Sequence, residues 1–131
     1  MREILFRGKR ANNGEWVEGS LICYADGCTF ICVQGENMDF LAKFAVIPET
    51  VGQYTGLTDK TGKKIFEGDI VKAYNTLGED DGIGVVHWSD LFVAWHMADC
   101  KCMYSSEIAS YEVIGNIHDN PELWEAMSDD E

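Results

Sequence analysis

The chain has 131 residues, 46 % of them hydrophobic, with 23 acidic and 10 basic side chains for a net charge of −13. That length suits one domain or two small subdomains sharing a core, and the composition is globular rather than disordered. No apolar run is long enough for a membrane span and the start lacks the apolar stretch of a secretory leader, so cytoplasm is the expected compartment.

Residues 4–7 predict a first strand, and Asn12-Asn13-Gly14 a turn. Residues 15–24 read as a second strand, with Gly19 expected to be a bulge. Ala25-Asp26-Gly27 turns the chain into an apolar, β-prone run over residues 28–34. Residues 35–39 are polar and read as a loop. Residues 40–47 fit either a strand or one helical turn leading into a strand, and Pro48 ends it because it removes a ladder donor. Pro48-Glu49-Thr50-Val51-Gly52 marks the join between an N-terminal β-subdomain, residues 1–48, and a second part, residues 49–131.

The densest local information lies in residues 47–72. Short β-prone pieces at residues 53–58, 64–66 and 70–74 are separated by Asp59-Lys60-Thr61-Gly62 and Glu67-Gly68-Asp69. Gly62 suits the left-handed residue that ends a type I turn with a bulge, and Gly68 gives the next strand a sharp entry. Within this segment the pattern T-G-L-x-D-K-x-G-x-x-I-[FY]-E-G-D-I-V is spelled out. Ile4-Leu5-Phe6-Arg7-Gly8-Lys9-Arg10 near the start and Gly115-Asn116-Ile117-His118-Asp119-Asn120-Pro121-Glu122-Leu123 near the end accompany it. The three pieces together resemble the YopX family of small proteins encoded by bacteriophages and prophages. The resemblance implies a β-rich fold, self-association and an uncharacterised biochemical role; it brings no catalytic residues with it.

Asn75-Thr76-Leu77-Gly78-Glu79-Asp80-Asp81-Gly82 is expected to be an acidic loop with a mobile tip. Residues 83–88 and 91–97 read as a hairpin turning at Ser89-Asp90, with Trp88 opposite Leu91, Val86 opposite Val93 and Gly84 opposite Trp95. In that register His87 and His96 sit at opposite ends of the pairing. Residues 98–110 are irregular and polar, and residues 111–114 form a last short strand. Asn120-Pro121-Glu122 starts a helix, with Asn as cap and Pro at the first helical position, that directs Leu123, Trp124 and Met127 inward.

The search for chemistry is brief. Cys23, Cys28, Cys32, Cys100 and Cys102 are odd in number and spaced C-x4-C-x3-C and C-x-C, which suits neither a disulfide framework nor paired zinc ligands. They are expected to be core filler, with Cys23 and Cys28 facing each other across the turn at Asp26-Gly27. His87, His96 and His118 are too scattered for an obvious metal cluster, and His118 is expected to serve local packing. No spacing ties Ser105, Ser106, Cys100 or Cys102 to a histidine, and no phosphate loop, nucleophile elbow or zinc-protease motif occurs. Glu67 and Asp69 are expected to be turn residues rather than an acid–base pair. Most of the fifteen aromatics are expected in the core, with any surplus near an edge favouring a protein interface.

Charge is unevenly placed. Residues 73–131 hold one basic side chain, Lys101, against thirteen acidic ones. Such a surface argues against direct binding of nucleic acid or an anionic bilayer.

These readings converge on a mainly β chain, α+β at most. Short antiparallel strands form a small SH3-like barrel, packed with the N-terminal β-subdomain and followed by one short C-terminal helix. The expected function is that of a phage or prophage accessory protein: non-enzymatic, self-associating and protein-binding, with no cofactor, no metal, no catalytic residues, and a homo-oligomer as its first partner. Two alternatives accompany it. One is an acidic decoy that inhibits a host nucleic-acid-binding protein through residues 73–131; the other is an enzyme or thiol–metal site around Cys23, Cys28 and Cys32.

Overall fold

Turn chemistry sets the path of the chain. In residues 24–28 the Tyr24 N–H donates to the Cys28 carbonyl and the Gly27 N–H to the Tyr24 carbonyl. The same two bonds recur in residues 59–63 and again in residues 75–79, each time with glycine in the fourth place. Those glycines have φ of 92°, 92° and 78°, a region that costs an L side chain roughly 1–2 kcal/mol. Asp59 and Asn75 reinforce their turns by accepting N–H donors from residues two and four positions on. The loop read as eight residues is therefore a tight turn, and Asp80 already belongs to the next strand.

The computed structural model describes residues 3–34, 41–90, 94–97, 101–102 and 108–123. Its class is mainly β, in two antiparallel sheets, as the sequence predicts. The chain divides into two compact units, Met1–Gly56 and Leu57–Glu131.

The first unit contains β1 (Phe6–Lys9), β2 (Trp16–Cys23), β3 (Thr29–Gln34), β4 (Leu41–Ala45), a 3-10 turn at Pro48–Thr50, and the start of β5 (Gly52–Thr58). Its strands lie in the order β4-β3-β2-β1-β5. β2 bends from one partner to the next: Trp16 to Gly19 pair with β1, and Ser20 to Cys23 pair with β3. Gly19 sits at that handover, and it is not a bulge, since neither the β1 ladder that ends at it nor the β3 ladder that starts after it shifts register. A Cβ there would collide with the carbonyl oxygen of Cys32, so the close approach of two backbones is what requires glycine. An isolated bridge, Arg10 to Val46, ties the end of β4 back to the end of β1. Buried Thr50 fastens the 3-10 turn: its hydroxyl accepts from Lys9 N–H at 2.9 Å and donates to the Ile47 carbonyl at 2.6 Å.

The second unit contains β6 (Lys64–Phe66), β7 (Asp69–Asn75), β8 (Asp80–Ser89), β9 (Ala94–Met97), β10 (Lys101–Cys102) and β11 (Ile108–Asn116). β6 follows β5 at the end of the first sheet's order, and the other five lie in the order β10-β9-β8-β7-β11. Both units thus repeat one topology, a four-strand meander whose first strand also pairs with the strand that follows it. The sequence carries no visible repeat, because strand order constrains only the alternation and turns, which many sequences satisfy. Among the described residues the strands lie in two sheets, with no closed barrel among them.

The core of the second unit is built from Ile65, Val71, Val86, Trp95, Met97 and Tyr111, all buried, with Leu57 and Val113 packed against them. Burial of such side chains is worth about 1.5–3 kcal/mol each and is the main stabilising contribution here. At the C-terminal end, residues 121–123 are helical, as the Asn-Pro-Glu start predicts. The Asn120 side-chain oxygen accepts from Asn116 N–H, so it closes the preceding turn. Trp124 and Met127 lie outside the described residues, as do residues 35–40. No helix of the described residues is long and apolar enough to cross a membrane.

Candidate functional site

Four cations of the first unit, Arg7, Lys9, Arg10 and Lys43, stack on aromatic rings. Arg7 and Lys9 lie over Trp16, with 4.7 and 5.5 Å from charge centre to ring centroid. The Arg10 guanidinium covers Phe44 at 4.4 Å, and Lys43 lies 4.5 Å from the Phe30 centroid and 5.3 Å from that of Tyr24. The Lys43 ammonium also donates to the Tyr24 hydroxyl at 3.3 Å. Each such stack contributes about 0.5–1 kcal/mol at an exposed site and fixes where the charge points. Arg10 and Lys43, with Ala11, Asn12, Phe44 and Ala45, line a shallow groove of about 230 Å³. It lies where β4, the outermost strand of its sheet, returns to β1 through the Arg10–Val46 bridge and the bond from Ala11 N–H to the Ala45 carbonyl. Among the described residues neither Arg10 nor Lys43 forms an ion pair, although the chain carries 23 carboxylates. Sequence reading missed this groove, because Arg10 and Lys43 are 33 positions apart and only the curl of the meander joins them.

Asp59, the second polar centre, is structural. It is 7 % exposed and accepts at both oxygens: Oδ1 from the Thr61 N–H, Thr61 hydroxyl and Lys63 N–H, and Oδ2 from Val113 N–H on β11 at 3.0 Å. Burial alone would raise its pKa, but the Thr61 hydroxyl and the three backbone donors outweigh it and hold the carboxyl at about 2. Asp69, also buried, accepts from Phe66 N–H at 2.8 Å across the Glu67-Gly68 turn, so it is a turn residue as expected. Carboxylates tied up in this way are poor acid–base groups.

Among the described residues, Cys23, Cys28 and Cys32 are not core filler. Cys23 and Cys28 are exposed and Cys32 is half-buried. Because the turn spans residues 25–27 with its bulge, Cys28 opposes Tyr24 while Cys23 pairs with Thr29, so the two thiols do not face each other. The side chain of Asp26 beside the Cys28 thiol, by hydrogen bond and then by charge, pushes its pKa up. Cys100 lies outside the described residues, as do Ser105 and Ser106. Cys102 closes β10, where it pairs in register with His96.

The histidines differ most from expectation. Four residues, 90–93, connect β8 to β9, and Ser89 pairs with Ala94. Ser-Asp lacks the glycine that a two-residue primed turn favours, and in the observed register Trp88 meets Trp95 edge-on at 5.1 Å. His87 consequently pairs directly with His96, ring centroids 6.0 Å apart. His118 lies close to Gly68. Among the described residues no group of three His, Cys, Asp or Glu side chains converges on one point.

Comparison with known proteins places these features. The model of a family described as YopX protein matches residues 5–125 of the chain. Among solved structures, protein EF1440 from Enterococcus faecalis superposes with a TM-score of 0.59 at 20 % identity, covering 94 % of this chain and 99 % of that one. At that identity the likeness is one of fold. No curated protein matches.

Proposed function

The chain belongs to the YopX family, and from that premise we propose that it is a binding module rather than a catalyst, an accessory protein of a phage or prophage that associates with itself and with other proteins. The observation that supports this reading is the groove at Arg10 and Lys43: two oriented cations, without a carboxylate partner among the described residues, beside an outermost strand. Beyond the Ala11–Ala45 bond, an outermost strand offers backbone donors and acceptors to an added extended segment, and the cations beside it select an acidic one. A second copy of this chain supplies such a segment, since its residues 73–131 carry thirteen acidic side chains and one basic. The contact is head-to-tail and electrostatic, so it weakens with salt.

Sedimentation velocity of the full chain across a concentration and salt series tests this. The expected result is association that declines as salt rises and is lost in the Arg10→Glu, Lys43→Glu double variant. A monomer at all concentrations, or association indifferent to both salt and the double variant, overturns it. The decoy reading draws less support: Asp80 is bonded to Lys72 and Gly82, and Glu112 to Tyr74 and Lys60, which leaves these carboxylates engaged within the sheet.

A further inference from the structure

The turn that joins β7 to β8 carries a side chain that its geometry does not require. It shares its two backbone hydrogen bonds with the turns in residues 24–28 and 59–63. The third place is Asp26 in the first of these and Thr61 in the second, both polar, but Leu77 in residues 75–79. Leu77 is 79 % exposed, more than any other large hydrophobic side chain among the described residues. The turn fixes where it points: the Asn75 side-chain oxygen accepts from Leu77 N–H at 2.9 Å and from Glu79 N–H at 3.0 Å. A tip ordered in advance loses little conformational freedom when it binds.

Glu79, two positions on, keeps its charge available. Asp80 is paired with Lys72 at 3.2 Å, and Glu112 is engaged by Tyr74 and Lys60. The Glu79 side chain is exposed and, among the described residues, its carboxylate takes a single long contact of 3.4 Å from the Asn75 amide. The tip therefore presents one apolar and one anionic group side by side. The groove of the first unit presents the complementary set. Phe44 and Ala45 supply apolar surface, and Arg10 and Lys43, held over Phe44 and Phe30, supply positive charge. At about 230 Å³ the groove is smaller than the roughly 300–1,000 Å³ of sites for drug-sized molecules, a size that suits one or two side chains. The Ala45 carbonyl already accepts from Ala11 N–H, so side chains carry the recognition at this end of β4.

Resting on the self-association proposed for the chain, we propose that the β7–β8 tip of one copy seats in the Arg10–Lys43 groove of the next. Leu77 packs against Phe44 and Ala45, and the Glu79 carboxylate meets Arg10 and Lys43. This names the part of residues 73–131 that answers the cations. Tip and groove are different surfaces, so each copy uses its groove for one neighbour and its tip for another. Burial of the leucine strengthens the contact, and the carboxylate between two cations sets its orientation.

Sedimentation velocity of the reduced full chain tests this with two half-defective forms. One carries Arg10→Glu and Lys43→Glu and lacks the groove; the other carries Leu77→Ser and Glu79→Lys and lacks the tip. Circular dichroism checks that each is folded, and Arg10→Gln with Lys43→Gln replaces the first if it is not. Each form alone is expected to associate at least about tenfold more weakly than the parent. Mixed in equal amounts, they are expected to form a dimer of one of each and nothing larger, because the mixture holds one intact groove and one intact tip. Association that is lost in the groove form but unchanged in the tip form overturns this inference and leaves the self-association standing. A mixture that stays monomeric where the parent associates does the same. A parent that is monomeric throughout, or association unchanged in the groove form, overturns both.

Discussion

Replacing Asp59 should separate the electrostatic from the covalent geometry of the turn that joins β5 to β6. Its carboxylate takes four donors, one of them Val113 N–H, 54 positions away in the sequence. A folded pKa of about 2 against an ordinary 3.8 corresponds to about 2 kcal/mol of stability at neutral pH. The folded value lies below the unfolded one, so this contribution is complete above about pH 5 and disappears as pH falls toward 2. Asp59→Asn keeps the shape but turns an N–H donor toward one of the four; it should cost about 2 kcal/mol at pH 7, and Asp59→Ala about 3 or more, since donors are then left bare. Urea unfolding of parent and Asn variant at pH 7, 5, 3 and 2 measures the difference. The gap should be constant between pH 7 and 5 and close below pH 4. A gap under about 0.5 kcal/mol at pH 7, or one that stays the same down to pH 2, would refute the reasoning, because the interaction would then be neither charge-assisted nor lost on protonation.

Two further substitutions probe the first unit. Gly19→Ala drives a methyl group into the Cys32 carbonyl and should destabilise by about 2 kcal/mol or more in thermal melts. Gly27→Ala, with open space at the same atom but φ of 92°, should cost only about 1 kcal/mol. Equal losses would mean that the Gly19 approach is not tight. Thiol labelling of the folded chain near pH 8 should modify Cys23 and Cys28 readily, with Cys28 the slower because Asp26 disfavours its thiolate. Asp26→Asn should speed Cys28 and leave Cys23 unchanged, as read by mass spectrometry of the labelled peptides.

Much of the fold was legible because turns are local. Gly27, Gly62 and Gly68 each lie where sequence reading puts a bend, and all three have the positive φ that favours glycine there. The strands between them follow from β-prone runs of ordinary length. Gly19 misled because glycine in a strand signals either a bulge or a close backbone approach, and only the partner strand distinguishes them. Asp80 and Asp81 misled because an acidic, glycine-flanked run reads as loop, whereas the bulge between the Ala73–Gly82 and Tyr74–Asp80 pairs carries it inside β8. Cys23 and Cys28 misled because apolar residue type predicts burial only on average, and both flank the exposed turn of the β2–β3 hairpin.

The amino-acid sequence alone determined the β class, the tight turns, the family pattern and the lopsided charge, since each depends on residues within a few positions of one another or on simple counts. Only the tertiary structure decided which residues are opposite one another. The register of β8 on β9 brings His87 to His96, and the curl of β4 onto β1 brings Lys43 to Arg10. A strand's alternation is satisfied equally by every register two residues apart, so the choice among them falls to packing, here Val86 against Met97 and Trp88 against Trp95.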